Sequence, residues 1–539
     1  MHNFHIYALF VILFFTVNCQ SKISETINQI VKAQDIPADL IKTQVVAYTK
    51  ADSLSTIEDS IVSHLYAKHN YHSYWSDSAS RVQLLVWFDS LYFDGLQPKH
   101  YDVDSLKILN QKWETLNDTI RAYWEVNATY NIVKAGVDEW YGETNPREIF
   151  PDWAYHETIL PIPLSMSDWH HLLNKDIWGL LPKIRPTHPM YAQLRFNLIK
   201  LYQWDSNKDF TWEQIETKKK KLKLGDVDTS IHRIKKRLLN VGFLAVDNID
   251  DTFDLALQNS VKTFQKHVSY YPTGVIDAMT LKRINFSKEG LYRTIIVNME
   301  RCRWLLKGKL PDEYILVNIA DYTLTYLNKD SIVHQTNVVV GKEQHETPLF
   351  TSKLSVVELN PYWTVPVSIA TKEVLPGLKR DSNYLAKHHM ELFRGNEAVY
   401  VSDFSAYKET YFPFTIRQKP GPNNDLGVVK FVFPNPYSIY FHDTPSKWIF
   451  SLDQRNFSHG CIRLYKPLDF AEVILKKEGF TRQRIDEIVA TEQNHPVVLK
   501  QKIPVLIVYW TCRMVDDDMH FMYDIYGRDQ KIMHALQTP

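Results

Sequence analysis

The sequence predicts a multi-domain α+β chain: a mostly helical first part, a small three-helix module, and a β-rich last part with an inserted subdomain. Three observations predict this. Apolar residues recur at spacings of three and four through residues 22–215, then alternate in strand fashion after about 310. A compact stretch at 225–286 reads as three short helices separated by turn signals. The 539 residues suit three to four domains at about 150 residues each. Composition narrows the classes further. Hydrophobic residues make up 45% and charged ones 23%, which excludes wholesale disorder. Lys+Arg and Asp+Glu both number 62, so the balance disfavours a basic nucleic-acid binder.

The elements follow in chain order. Ile6–Val17 is an apolar run of 12 residues, too short to span a bilayer and suited to a signal-peptide core. It stops just before Cys19, so residues 1–19 read as a lipoprotein-type signal with Cys19 as the lipid site. That predicts export to the periplasm, with the membrane touched only through that lipid. Ile57, Ile61, Val62 and Leu65 mark one helix, and Val82, Leu85, Val86, Phe88 and Leu91 a second. Ala122–Val137 is another. Lys218–Lys221 is a charge run of the solvated-linker type. Ile231–Leu239, Asp254–Gln265 and Ala278–Ile284 are the three helices of the module, with a turn at Thr273–Asp277. Strands are expected at Tyr314–Ile319, Leu324–Leu327, Val338–Val340, Ser438–Phe441, Val505–Trp510 and His520–Tyr526. A helix begins at Pro467 and stops before Gly479. Residues 372–430 have weak strand character and read as an insertion.

The chemistry is concentrated in two strings, Tyr440-Phe441-His442-Asp443 and Phe457-Ser458-His459-Gly460-Cys461-Ile462-Arg463. A Cys with a His 19 positions upstream is a candidate nucleophile and base. A strand ending at His442 presents its imidazole at a sheet edge, and a tight loop presents the Cys461 thiol. An adjacent imidazolium would lower the thiol pKa. Gly460 permits close approach of a carbonyl, and the N–H groups of Gly460 and Cys461 are candidate oxyanion donors. His442, His459 and Cys461 would also supply three zinc ligands, but no fourth stands at a recognisable spacing. His442 could be oriented by Asp443 or by a backbone carbonyl. Cys302 and Cys512 either pair or remain buried thiols.

His442, fifteen intervening residues and Ser458-His459-Gly460-Cys461 resemble the signature of the L,D-transpeptidase (YkuD) catalytic domain. The strings Pro420–Asn424, Gly427, Val429–Phe431, Phe433–Pro436, His442–Lys447, Ser458–Leu464 and Asn360–Pro366 are similar to the large YcbB-type members. So are Trp75, Gly95–Pro98 and Tyr101. Leu238, Gly242-Phe243, Phe264-Gln265, Gly274–Asp277 and Thr280-Leu281 resemble the three-helix peptidoglycan-binding module. Many members carry Asn two residues after the cysteine; Arg463 stands here, as in the YcbB-type.

The resemblance implies a helical scaffold domain at 22–215, a peptidoglycan-binding module at 225–286 and a β-rich catalytic domain at 310–530, with a capping insertion at 372–430. It implies a cysteinyl thioester formed by Cys461, with His442 as general acid/base and Gly460 in the oxyanion loop. A tetrapeptide stem would be the donor, D-Ala the leaving group, and a diamino-acid amine of a second stem the acceptor, giving a 3-3 cross-link. Tyr440, Arg463, Ser458 and Trp363 are the implied substrate-binding residues, Arg463 facing either a substrate carboxylate or a structural acid. No cofactor or metal is implied, and carbapenems would be inhibitors. Two alternatives share the motif: an L,D-carboxypeptidase, in which water takes the acyl group, and a non-catalytic peptidoglycan-tethering lipoprotein.

Overall fold

The computed structural model describes residues 36–49, 56–151, 153, 160–203, 213–245, 249–268, 272–305, 310–329, 331–515 and 518–537. Cys19 and the expected signal lie outside the described residues. Two compact units are present. Of these described residues, the first unit draws on those between 36 and 92, 97–137 and 163–184, and the second on 93–96, those between 138 and 162, and those from 185 to 537.

The first unit is helical. Ala38–Thr49, Ile57–Lys68, Ser78–Ser90 and Val103–Gln111 surround the long helix Asp118–Tyr141. Thr56 and Asp59 form a reciprocal cap at the start of the second of these. Its centre is polar as well as apolar. The buried Glu125 carboxylate accepts from Tyr66 Oη (2.9 Å), Ser73 Oγ (2.6 Å) and Tyr74 N (2.7 Å). Trp75 Nε1 reaches Thr129 at 3.0 Å. In the helix Ser78–Ser90 the buried stripe is Leu84, Leu85, Trp87 and Phe88, whereas Val82 and Val86 are 52% and 53% exposed. The expected stripe was thus rotated: the indole of Trp87, not the two valines, faces inward.

In the second unit, Thr229–Asn240, Leu255–His267 and Ala278–Ile284 form the three-helix module, each started by an aspartate cap (Asp228, Asp254, Asp277). Ile231, Ile234, Leu238, Phe253, Leu257, Val261 and Ile276 make its core. The Gln265 side chain ties the turn, accepting from Gly274 N at 2.9 Å and donating to Val275 O at 2.9 Å. Gly274 has φ +70°, which a side chain would strain.

Nine strands build the large sheet: β1 Glu313–Asn318, β2 Thr323–Asn328, β3 Ser331–Gly341, β4 Phe350–Leu359, β5 Val429–Val432, β6 Phe441–His442, β7 Asn456–Ser458, β8 Ile462–Leu464 and β9 His495–Val508. Their order is β7-β3-β8-β6-β5-β4-β9-β1-β2, and β2 also pairs with β3. The long β3 pairs first with β2 and then, from Val338, with β8, so the sheet closes on itself. Alternation sets the two faces of β5, β6 and β8. Phe431, Phe441, Ile462 and Leu464 are buried in the main core, where Phe431 meets Phe470 of helix Pro467–Leu475 at 5.0 Å. Lys430, His442 and Arg463 take the opposite face, in one row.

The insertion has a sheet of its own, ordered Trp363–Thr364, Thr415–Gln418, Met390–Arg394, Glu397–Ala398. Val365, Leu375, Leu378, Leu392, Phe414 and Ile416 form a separate core. Its limits therefore shift from the expected 372–430. It starts at Trp363, which pairs with Gln418, and residues 429–430 belong to β5 of the large sheet. The predicted strand at Ser438–Phe441 shortens to Phe441–His442, because Asn435 holds a turn there: its side chain bonds Ile439 N (3.0 Å) and Ile439 O (2.7 Å). Cys302 and Cys512 are buried free thiols.

Candidate active site

The site grows from the register of β6 on β8. These strands run parallel, with Phe441 opposite Ile462 and His442 opposite Arg463. Ile462 N donates to Tyr440 O at 3.2 Å, which sets Cys461 beside Tyr440. Side chains two apart share a face. Tyr440, His442, Cys461 and Arg463 therefore stand on one face, opposite the apolar residues Phe441 and Ile462.

Cys461 ends a tight loop that is braced from within. Ser458 is 1% exposed; its Oγ accepts from Gly460 N (3.0 Å) and donates to Cys461 O (2.6 Å). From outside, Thr347 Oγ1 donates to Gly460 O at 2.8 Å and accepts from Gly341 N at 2.9 Å. Gly460 has φ +111°, and a Cβ there would lie 3.2 Å from Ile439 Cδ1. This geometry alters two expectations. The Ser458 hydroxyl is engaged inside the loop and is not presented to a substrate. The Gly460 N–H is already donated, so of the two amides expected to form an oxyanion hole only that of Cys461 remains.

The Cys461 thiol is half-buried, and its Sγ lies 3.7 Å from Ser438 O. Ser438 itself has φ +57°, an uncommon conformation for a residue with a side chain. Burial pushes the thiol above its ordinary value, opposed by hydrogen bonding to Tyr440 and by the charges of Lys430 and Arg463. The Tyr440 hydroxyl meets both the Cys461 sulfur and Trp363. Lys430 Nζ sits 4.4 Å from the Tyr440 ring centre and 3.9 Å from Glu358.

His442 is 4% exposed, and its Nδ1 is buried with no hydrogen-bond partner. Burial first, then the Arg463 guanidinium, lower its pKa to about 3. Both shifts favour the neutral forms, a thiol and an uncharged imidazole, whereas the sequence reading had an adjacent imidazolium lowering the thiol pKa. Tyr440 packs edge-on against His442 at 5.7 Å. Asp443 serves elsewhere: its carboxylate takes Val428 N at 3.1 Å and pairs with Lys447.

Arg463 is half-buried, with its Nε lacking a partner, and faces the charge of Asp425. Asp425 is raised by burial in spite of that guanidinium. His459 contacts Glu373 of the insertion at 2.7 Å, and its ring centre lies 5.2 Å from that of His345, the planes tilted by 34°. His388 and His389 are exposed. Asp425, Glu373 and Ser438 escaped the sequence reading. Lys430 was within reach of it, because strand alternation about Phe431 puts it on the His442 face. Among the described residues no group of three His, Cys, Asp or Glu side chains is arranged to hold a metal.

Comparison with known proteins gives this constellation its class. Residues 312–497 match the model of the L,D-transpeptidase catalytic domain, 60–198 that of a scaffold domain and 228–284 that of a "Putative peptidoglycan binding domain". The chain carries an L,D-transpeptidase catalytic domain joined to a peptidoglycan-binding module, as its sequence signposts suggested. It is 32% identical over 251 residues to a Haemophilus influenzae protein named "Putative L,D-transpeptidase", covering 46% of this chain and half of that protein's length. The solved L,D-transpeptidase of Stackebrandtia nassauensis shares 10% identity over 54% of this chain and 97% of its own, with a TM-score of 0.21. L,D-transpeptidase 3 from Mycobacterium tuberculosis, solved with a faropenem-derived adduct, shares 14% over 36% of this chain and 60% of its own, with a TM-score of 0.18.

Proposed function

We propose that this protein is a peptidoglycan L,D-transpeptidase that forms 3-3 cross-links through a thioester on Cys461. The observation that carries the reading is the parallel register of β6 and β8, which sets Cys461, His442, Tyr440 and Arg463 on one face of the catalytic domain. On that shared face the neutral imidazole of His442 is the base that takes the thiol proton. Sγ attacks the carbonyl of the third stem residue. The oxyanion meets the Cys461 N–H and the Tyr440 hydroxyl. Collapse breaks the amide, and D-Ala departs as an amine that takes the proton from His442. The thioester is then attacked by the side-chain amine of a second stem, whose proton returns through His442 to sulfur. Arg463, with an unpartnered Nε, is suited to a stem carboxylate. Trp363, on the insertion and beside Tyr440, contributes an aromatic wall.

The reading includes export to the periplasm with a lipid on Cys19, and inhibition by carbapenems through a Cys461 adduct. Incubation with disaccharide tetrapeptides tests the reaction. Cross-linked dimer plus free D-Ala is the expected outcome. Tripeptide and D-Ala without dimer would make the protein an L,D-carboxypeptidase, and no product at all would leave only tethering.

A further inference from the structure

The active face carries a row of charged residues that the reaction above uses only in part. Strand register alone sets the row. Glu358 on β4 stands opposite Lys430 on β5, Lys430 opposite His442 on β6, and His442 opposite Arg463 on β8. Residues directly opposite one another share a face, and neighbouring strands lie about 4.8 Å apart. His442 is therefore flanked by two cations, each one strand away: Lys430 on one side and Arg463 on the other.

The two cations differ in what occupies them. Arg463 faces the charge of Asp425 from the insertion. Lys430 has one ion-pair contact among the described residues, to Glu358, and at 3.9 Å it is too long for a hydrogen bond. Glu358 is itself engaged by Asn494, whose Nδ2 donates to its Oε1 at 2.8 Å. The Lys430 ammonium lies instead 4.4 Å from the centre of the Tyr440 ring, and the hydroxyl of that ring meets the Cys461 sulfur. Of the two cations, Lys430 acts the more strongly on Cys461. Its side chain is 20% exposed, so a group from solvent can reach it. An ammonium held beside the nucleophile, with no close acceptor among the described residues, is suited to an anion.

The reaction brings an anion to this spot. The departing D-Ala takes its proton from His442, so its nitrogen lies at the imidazole. The carbon of its carboxylate is only about 2.5 Å from that nitrogen. The carboxylate therefore falls beside a neighbour of His442 in the row, and the neighbour on the Tyr440 ring is Lys430. We propose that Lys430 binds the α-carboxylate of the departing D-Ala and so restricts the donor to stems that end one residue beyond the scissile bond, an inference that rests on the transpeptidase reading above. The ion pair holds the leaving nitrogen at His442. A donor whose carboxylate is amidated, or continued in a further peptide bond, brings no charge and leaves the ammonium unpaired.

The test is kcat/KM for release of the terminal residue from two disaccharide tetrapeptides that differ only at that end, one a free acid and the other a primary amide. Mass spectrometry detects D-Ala or its amide. Transfer and hydrolysis share this acylation, so either fate of the acyl group serves. The wild type should prefer the acid about ten- to a hundredfold, the worth of a hydrogen bond between charged groups. Lys430→Met should bring the two donors nearly level, and Lys430→Arg should restore most of the preference. Glu358→Gln, which breaks the same ion pair from its other side, should keep the preference. Melting temperatures establish that each form is folded. Equal use of both donors by the wild type overturns the proposal, because no residue then reads the carboxylate. A loss in Lys430→Met that is equal for both donors overturns it too, because Lys430 then serves the fold or the thiol alone. Release of neither product by the wild type overturns the transpeptidase reading beneath it.

Discussion

Acidification should leave the activation of Cys461 untouched down to about pH 4. Burial, then the neighbouring Arg463 guanidinium, bring His442 from an ordinary 6.5 to about 3; Lys430 and Lys447 push the same way, and the Asp443 backbone opposes them. Such an imidazole is about 1% protonated at pH 5, where an ordinary one would be about 97% protonated. If neutral His442 takes the thiol proton, the rate of adduct formation at pH 5 should lie within a few per cent of its value at pH 7. An unperturbed histidine would lower it about twenty-fivefold over that range. The assay is rapid-quench intact-mass spectrometry of carbapenem adduct formation between pH 4 and 8 at constant ionic strength. Arg463→Met removes the charge opposite His442 and should raise the midpoint of the acid limb. A wild-type midpoint near 6.5 would refute the reasoning. The same shift acts on stability, and its sign is fixed. The folded value lies below the unfolded one, so the contribution is complete above about pH 6.5 and is lost as pH falls towards 3.

Ser458→Ala removes both braces of the catalytic loop and leaves Gly460 N–H and Cys461 C=O buried and unpaired, at about 1–3 kcal/mol each. Adduct formation should fall ten- to a hundredfold; an unchanged rate would mean that the loop is held by Thr347 alone. Gly460→Ala forces a side chain into φ +111° beside Ile439, costing about 1–3 kcal/mol, and should lower both the melting temperature and the adduct rate. A variant as stable and fast as the wild type would contradict the geometry. Tyr440→Phe deletes the hydroxyl at the sulfur and should slow acylation about ten- to a hundredfold with little change in melting temperature, the usual worth of a hydrogen bond to a charged group. No kinetic change would remove Tyr440 from the site.

Much of the site was legible because it is local in the chain. The spacing of His442 and Cys461 needs only one strand pairing to become a constellation, and alternation along Tyr440–His442 and Cys461–Arg463 tells which residues share a face. Caps made the module readable: Asp228, Asp254 and Asp277 start its three helices, and the third ran from Ala278 to Ile284 as expected. What the sequence hid depends on long-range packing. Asp425 opposite Arg463, and Glu373 against His459, come from the insertion, whose return path no periodicity reveals. The Gly460 N–H looked available because glycine there is required in any case; only coordinates show it donated to Ser458. The pKa expectation failed for a similar reason. Proximity of Cys and His suggests an ion pair, but burial of His442 beneath Arg463 favours the neutral forms. Val82 and Val86 misled because a helix with apolar residues on more than one side can roll, and Trp87 decided the direction.

The most direct measurement is peptide mapping by mass spectrometry after brief exposure of the protein to a disaccharide tetrapeptide. The predicted result is one acyl group, the stem less its terminal D-Ala, on the peptide that contains Cys461, discharged when a diamino-acid acceptor is added and missing in Cys461→Ser. An acyl group on any other residue, or one that survives that substitution, would contradict the assignment of the nucleophile.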